Sequence, residues 1–523
     1  MNTRAFRKTA CLLGLTALLT PMTHAAAADA CADLTKFKAP GFAMEITQAV
    51  RVPPGKAPPA PNQPPSDTLL PAYCQAEGVI DRRIGRDGKP YAIGFAIALP
   101  ENWNGRFLFQ GGGGLNGTVR PPVGMRNTDT PALAEGFAVV STDSGHQSEA
   151  VFDASFFRDQ QATLNFLYQA IGKVAVVAKA IIAHHYGTAA KRSYYVGCST
   201  GGREGMIMSQ RYPDYFDGIV SGAPAMRTNY SNLGDRWVAT ALNAVAPKDE
   251  NGRPIGQRAF TAAERKLIID SFLAQCDAKD GVADGMVFNP AACDFDPRAL
   301  VCKGAKSDTC LTQQQADALV KGFAGPKDSL GNQVYPGFFF DTGIAASGPG
   351  IIPGLLLAGQ SPVGPPNFET EMNVDQAAAA ANDAIHMLSN TYQWTQLDTF
   401  SGRGGKLIFF HGISDPWFSA KDTIQYYERL AADNGGAAAV DKWSRLFLVP
   451  GMGHCRGGDA TLDQFDMVSA IVDWVENGRA PDAVIATGPA FPGRSRPLCP
   501  YPKHAHYKGS GDPEKAESFE CRE

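Results

Sequence analysis

Little in this chain points to a nucleic acid or a membrane. Its 48 Lys and Arg against 52 Asp and Glu leave a formal net charge of −4, too small an excess to steer it toward a polyanion or an anionic bilayer. Beyond the N-terminal leader no segment approaches the roughly 18 unbroken apolar residues that a spanning helix needs. No C-x-x-C pair occurs, and the cysteine spacings do not suit a zinc site. No G-K-[ST] follows the glycine run at 111–114, which argues against a phosphate-cradling loop. No internal repeat is evident. These absences leave a small or neutral molecule as the expected partner. What is present is ordinary globular composition, 44% hydrophobic and 19% charged over 523 residues, enough for two domains or one large domain with a big insertion.

The first residues read as a secretory signal. Arg4, Arg7 and Lys8 precede the apolar run Ala10 to Leu19, and Pro21 with the small residues Ala25 to Ala28 offers A-x-A-type cleavage. A signal over residues 1–26 implies a soluble, secreted or periplasmic protein with no membrane in its mature form. Export in turn gives the cysteines meaning. Without Cys11, which lies in the signal, ten remain, an even count suited to disulfides in an oxidising compartment. Proximity suggests Cys276–Cys293, Cys302–Cys310 and Cys499–Cys521, with Cys31–Cys74 as the N-terminal pair. Cys198 and Cys455 are left over, although ten cysteines allow many connectivities.

Hydrophobic patterning predicts strands at Tyr91–Leu99, Arg106–Phe109, Ala138–Thr142, Ser193–Val196 and Phe216–Ser221. Between them fall helical patterns at Phe166–Tyr186 and Gly202–Arg211. Pro53 to Pro65 reads as an extended surface loop. The rhythm breaks after Ala225, then resumes with strands at Lys406–Phe410 and Arg445–Val449 and a closing helix at Gln464–Trp474. Strands alternating with helices indicate an α/β class with a mostly parallel sheet covered on both faces. The division this predicts is a core over 27–225, an inserted lid domain over 226–402, and the rest of the core over 403–523.

The chemistry concentrates at strand ends. Gly197-Cys198-Ser199-Thr200-Gly201 fits the G-x-S-x-G nucleophile elbow of an α/β-hydrolase, in which the serine stands on a sharp strand-to-helix turn. The strand at 406–410 leads into His411-Gly412-Ile413-Ser414-Asp415, and that at 445–449 into Pro450-Gly451-Met452-Gly453-His454. This supplies Ser, Asp and His in the hydrolase order, at the carboxyl ends where such sheets gather catalytic groups. Ser199 would be the nucleophile, His454 its base, and Asp415 the group that orients the imidazole. Each alone has a bland reading, Asp415 as a turn residue before Pro416 and His454 as a surface residue in a glycine-rich turn. Gln110-Gly111-Gly112-Gly113-Gly114 follows a strand where esterases place an oxyanion loop, and its amides with that of Thr200 could face an oxyanion. In the lid, Cys276-Asp277-Ala278-Lys279-Asp280-Gly281-Val282-Ala283-Asp284-Gly285-Met286 holds three carboxylates in eight residues, with the carbonyls of Val282 and Met286 nearby. The set suits Ca²⁺ but lacks EF-hand spacing, and on spacing alone a solvated acidic turn is the simpler reading.

These motifs, together with Val449-Pro450-Gly451-Met452-Gly453-His454-Cys455 and Pro497-Leu498-Cys499-Pro500-Tyr501-Pro502, resemble the tannase/feruloyl esterase family. That family also includes enzymes hydrolysing mono(2-hydroxyethyl) terephthalate. The resemblance covers nearly the whole mature chain. It implies an α/β-hydrolase fold with a large inserted lid domain, the Ser199–Asp415–His454 triad and a Cys198–Cys455 disulfide. It also implies an oxyanion hole of Gly114 and Thr200, and a structural Ca²⁺ at Asp277, Asp280, Val282, Asp284 and Met286, with no organic cofactor. The expected activity is that of a serine carboxylic ester hydrolase on small aromatic esters. Trp417 and Phe418, with His411, are the candidate walls of an acyl pocket. A substrate with a free aromatic carboxylate would want an arginine fork, and the lid from Leu311 to Gly402 contains no arginine. Feruloyl or chlorogenate-type esters are therefore the expected substrates, with terephthalate monoesters or gallate esters as alternatives. An inactive phenolic-binding protein is the remote one.

Overall fold

The computed structural model describes residues 30–59, 67–124, 126–347, 352–358 and 365–523. The expected signal over residues 1–26, and its cleavage site, lie outside them. Nine strands form the central sheet: β1 (Met44–Val52), β2 (Tyr73–Ile84), β3 (Pro90–Pro100), β4 (Arg106–Gln110), β5 (Ala138–Thr142), β6 (Arg192–Cys198), β7 (Gly218–Gly222), β8 (Lys406–Gly412) and β9 (Ser444–Val449). Their order is β1-β2-β3-β5-β4-β6-β7-β8-β9. The pairings from β1 to β5 are antiparallel, and all those from β5 through β4 to β9 are parallel. This is the sheet of an α/β-hydrolase, extended at its N-terminal edge.

Both faces are covered. On one, the buried residues of α1 (Ala170–Tyr186), α2 (Thr200–Arg211) and α6 (Ala420–Asp433) pack on Phe107, Phe109, Ile219 and Phe409 of the sheet. On the other, α7 (Met467–Asn477) and the C-terminal segment pack on Leu108, Val220, Ile408 and Phe447. Each such side chain contributes about 1.5–3 kcal/mol when fully buried. The stretch Gln160–Tyr186 passes as a membrane span by length and composition, yet most of its apolar window is buried in this core. α7 begins three residues later than the expected closing helix because the Asp466 side chain accepts from Ser469 N and caps it there.

The chain leaves the sheet after β7 and re-enters at the adjacent β8. The intervening segment carries α3 (Thr228–Asn243), α4 (Ala262–Cys276) and α5 (Gln313–Ala324), which build a separate cluster from Val238, Leu242, Ile268, Leu319 and Phe323. α4 and α5 each open on a capping box, Thr261 with Glu264 and Thr312 with Gln315. All five expected disulfides are formed: Cys31–Cys74, Cys198–Cys455, Cys276–Cys293, Cys302–Cys310 and Cys499–Cys521.

Candidate active site

β6 ends at Cys198 and α2 begins at Thr200, so Ser199 alone makes the turn, with φ 64° and ψ −122°. That is a left-handed conformation uncommon for a residue with a Cβ. Its neighbours must be glycine: a Cβ on Gly197 would lie 2.6 Å from the Gly201 carbonyl, and one on Gly201 2.7 Å from Gly112 O. β8 and β9 run in parallel register, His411 beside Leu448 and Gly412 beside Val449, so the loops carrying Asp415 and His454 emerge side by side. Asp415 Oδ1 accepts from the amides of Trp417 and Phe418, both at 2.9 Å, and Oδ2 from His454 Nδ1 at 2.7 Å. Burial alone would push the Asp415 carboxyl up. The facing imidazoles of His454 and His411 outweigh it and hold the group well below the usual carboxylate range. His454 Nε2 is buried and makes no hydrogen bond among the described residues. Ser199 and His454 line one cavity of about 400 Å³, a volume suited to a single-ring ligand. With Asp415 fixing the tautomer, Nε2 is the nitrogen free to take a proton from Ser199.

The glycine loop is held from below by Glu204 of α2. This buried carboxylate accepts from Gly112 N (3.0 Å), Asn116 Nδ2 (3.0 Å), Ser144 Oγ (3.1 Å) and Tyr195 OH (2.9 Å). Gly114 lines the cavity, at φ +60°, and its carbonyl accepts the Thr200 hydroxyl, so the two expected oxyanion residues are adjacent. Glu204→Gln would turn an amide N–H toward these donors, leaving one or two buried groups unpaired at about 1–3 kcal/mol. A fall in kcat of about ten- to a hundredfold with a smaller change in KM is expected from steady-state kinetics. An unchanged kcat would remove Glu204 from the support of this loop.

The three candidate walls separate. Trp417 lines the cavity, its ring 5.5 Å from His454 and 5.7 Å from Phe152. Phe418 stacks on Trp417 at 4.7 Å and stands edge-on to the imidazole at 5.0 Å, so it walls the base rather than the cavity. His411 is not a wall. It is fully buried, Nε2–H donating to Phe418 O at 2.9 Å and Nδ1 facing the Thr423 hydroxyl at 2.8 Å, with Asp415 Oδ2 3.4 Å from Nε2. It is the penultimate residue of β8, an interior strand paired on both edges, and is buried there beside Asp415. Several residues that motif reading passed over also join the site. Asp341, from the segment between β7 and β8, accepts from Ser414 Oγ and Gly451 N, both at 2.7 Å, and so braces the Asp415 loop against the His454 loop. Asn127 donates to Cys455 O at 2.9 Å, and Phe152, Arg120, Arg126 and Arg456 line the cavity. The arginines absent from 311–402 are thus supplied by other loops. Of these residues only Arg456, next to Cys455, lay within reach of motif reading.

In the acidic loop, Asp277 Oδ2 accepts from Gly285 N (2.8 Å) and Asp280 Oδ2 from Phe288 N (2.9 Å), while Oδ1 of each is buried with no partner. Two orphaned carboxylate oxygens fit a hard cation. Asp284 is otherwise engaged, its carboxylate paired with the buried Arg496 and its carbonyl accepting from Arg494 at 2.8 Å. Among the described residues no three acidic, imidazole or thiolate side chains group closely enough to hold a metal alone. Backbone carbonyls would have to complete any shell.

The sheet order, the Ser199 turn and the Asp415–His454 pair define an α/β-hydrolase. The profile described as tannase and feruloyl esterase matches residues 74–350 and 362–522. A mono(2-hydroxyethyl) terephthalate hydrolase of Piscinibacter sakaiensis is 38% identical over 87% of this chain and 86% of its own length. A probable feruloyl esterase B-2 of Aspergillus terreus is 32% identical over 81% of this chain and 82% of its own. The crystal structure of feruloyl esterase B from Aspergillus oryzae superposes with a TM-score of 0.75 at 27% identity, covering 95% of this chain and all of that one. The chain belongs to the tannase and feruloyl esterase family and is a carboxylic ester hydrolase.

Proposed function

We propose that this protein hydrolyses esters of aromatic acids, of the feruloyl or chlorogenate type, through an acyl-enzyme on Ser199. The observation that carries this reading is His454 Nε2, buried and unpartnered, in the cavity that also holds Ser199 and the aromatic walls Trp417 and Phe152. His454 takes the serine proton as the carbonyl is attacked and returns it to the departing alcohol; water then releases the acid with His454 again as base. The Gly114 and Thr200 amides receive the oxyanion. The 38% identical relative named for mono(2-hydroxyethyl) terephthalate supports terephthalate monoesters as a second substrate. A fluorophosphonate probe should label Ser199. Methyl ferulate, chlorogenate, methyl gallate and a terephthalate monoester, compared by kcat/KM, should rank the acyl groups. Turnover of none of them would overturn the reading.

The segment over 226–402 is the lid in this reading, and residues 1–26 direct export. Five disulfides accord with an oxidising compartment. A Ca²⁺ in the acidic loop would be held by Asp277 and Asp280 with the carbonyls of Val282 and Met286. Asp284 would join only by sharing its charge with Arg496. Bound there, Ca²⁺ supplies charge compensation and loop rigidity. Chelation is expected to lower Tm by about 3–8 °C while the initial rate at 25 °C changes little, because the loop does not line the Ser199 cavity. Superimposed melting curves with and without chelator would reject the ion.

A further inference from the structure

The lining of the Ser199 cavity is cationic. Arg120, Arg126 and Arg456 line it, and among the described residues no carboxylate does. Arg126 is accounted for: it pairs with Glu135, pairs with Asp466 at 3.2 Å and donates Nε to Thr130 O at 2.8 Å. The other two are not. Arg456 keeps Nη1 buried without a hydrogen bond. Burial pushes the Arg120 guanidinium down from its ordinary value, and the opposing pull comes from Glu204, whose oxygens are already occupied by Gly112, Asn116, Ser144 and Tyr195.

Their placement is specific. Arg120 Nη2 lies over the oxyanion loop, where a Cβ on Gly113 would come within 2.8 Å of it. Arg456 follows Cys455 and stands two residues from His454. One charge therefore comes from the loop that would hold the oxyanion, the other from the loop that holds the base. A partly desolvated guanidinium without an anionic partner is unfavourable, and a carboxylate bound in fork geometry would offset that cost. A neutral ester in the same cavity would leave both charges uncompensated.

We infer that Arg120 and Arg456 form an anion subsite beside Ser199, and that the preferred substrate is an aromatic ester carrying a free carboxylate. This rests on the ester-hydrolase reading of the same cavity and narrows its substrate class. The carboxylate can sit on the acyl ring, as in a monoester of an aromatic diacid, or on the alcohol, as in an ester of a hydroxy acid.

Two matched pairs separate these sources by kcat/KM. Monomethyl terephthalate against methyl 4-acetylbenzoate tests the acyl side. Chlorogenate against its methyl ester, scored by caffeate release, tests the alcohol side. The wild-type protein should prefer the anion at least tenfold in one pair, and added NaCl should erode that preference. Arg120→Gln and Arg456→Gln should each lower the anion-to-neutral ratio about tenfold, with the Lys variants retaining part of it. Should the Gln variants misfold, wild-type inhibition still decides: terephthalate or quinate should inhibit at lower concentration than the corresponding amide. No anion preference in either pair, a ratio unmoved in both Gln variants, or equal inhibition by acid and amide would each overturn the subsite. Failure to cleave any of the four esters would instead overturn the ester-hydrolase reading.

Discussion

Ser199→Ala is expected to lower ester turnover by about 10⁶-fold while leaving Tm within a few degrees of the parent. The size of the effect follows from how the site is divided. Ser199 is the only residue at the elbow turn, and the unbonded His454 Nε2 has no other described partner in the cavity. With the hydroxyl gone, the proposed oxyanion amides of Gly114 and Thr200 would still polarise a bound ester, so a residual rate above water is expected. Asp415→Asn should cost about 10⁴-fold, because an amide facing Nδ1 at this position favours the wrong tautomer. Since His454 and His411 hold Asp415 ionised far below neutrality, protonation of Asp415 should not shape the pH–rate profile near neutral pH. Single-turnover kinetics with a nitrophenyl ester measures the rates and their pH dependence, and thermal melting measures Tm. A loss under a hundredfold in Ser199→Ala would assign the chemistry elsewhere.

Changing Cys198 and Cys455 together to Ala should reduce kcat by about a hundredfold or more before it unfolds the protein. The bond joins the residue before the nucleophile to the residue after the base across 257 positions, with Cα atoms 6.0 Å apart. In the chain-entropy model a loop of that size stabilises by about 5 kcal/mol, an upper figure that many disulfides do not reach. Geometry adds a second reason. Ser199 and Cys455 both hold positive φ, 64° and 66°, conformations that cost about 1–3 kcal/mol each and persist only when their surroundings enforce them. Released from each other, the two turns can relax, and a displacement of about 1 Å between nucleophile and base is worth about a hundredfold. Asn127 on Cys455 and Asp341 on Gly451 would hold part of the base loop in place, which limits the loss. Activity and fluorescence followed together through a reductant titration should separate, activity falling first. Full activity in the double variant would leave the bond a stabilising link alone.

Much of this was legible in the residues. Buried strands such as Lys406–Phe410 announce themselves as apolar runs, and the candidate triad members fall on the short loops that follow such strands. β1 escapes the apolar pattern because it is an edge strand with Glu45, Thr47 and Gln48 exposed, so its apolar signal is weak. His411 was misassigned for a related reason: the same strand that displays Asp415 at its end buries the residue just before the turn. Asp341, Arg120 and Phe152 could not be found from motifs at all. They reach the cavity through loops whose course depends on packing, and nothing local in the chain marks which loop folds over which. Glu204 lies in the expected helix Gly202–Arg211, yet its work on the glycine loop appears only once Gly112 is seen above it.

The route of the chain between β7 and β8 also sets an order in time. A ribosome delivers the serine, its elbow and the glycine loop first, then the whole inserted segment, and only afterwards the strand that carries Asp415 and the loop that carries His454. A fragment ending anywhere before β8 holds a nucleophile with no base, and its Cys198 has no partner. In the proposed mechanism hydrolysis therefore waits for β8, β9 and the loops that follow them, and the full rate for closure of the Cys198–Cys455 bond.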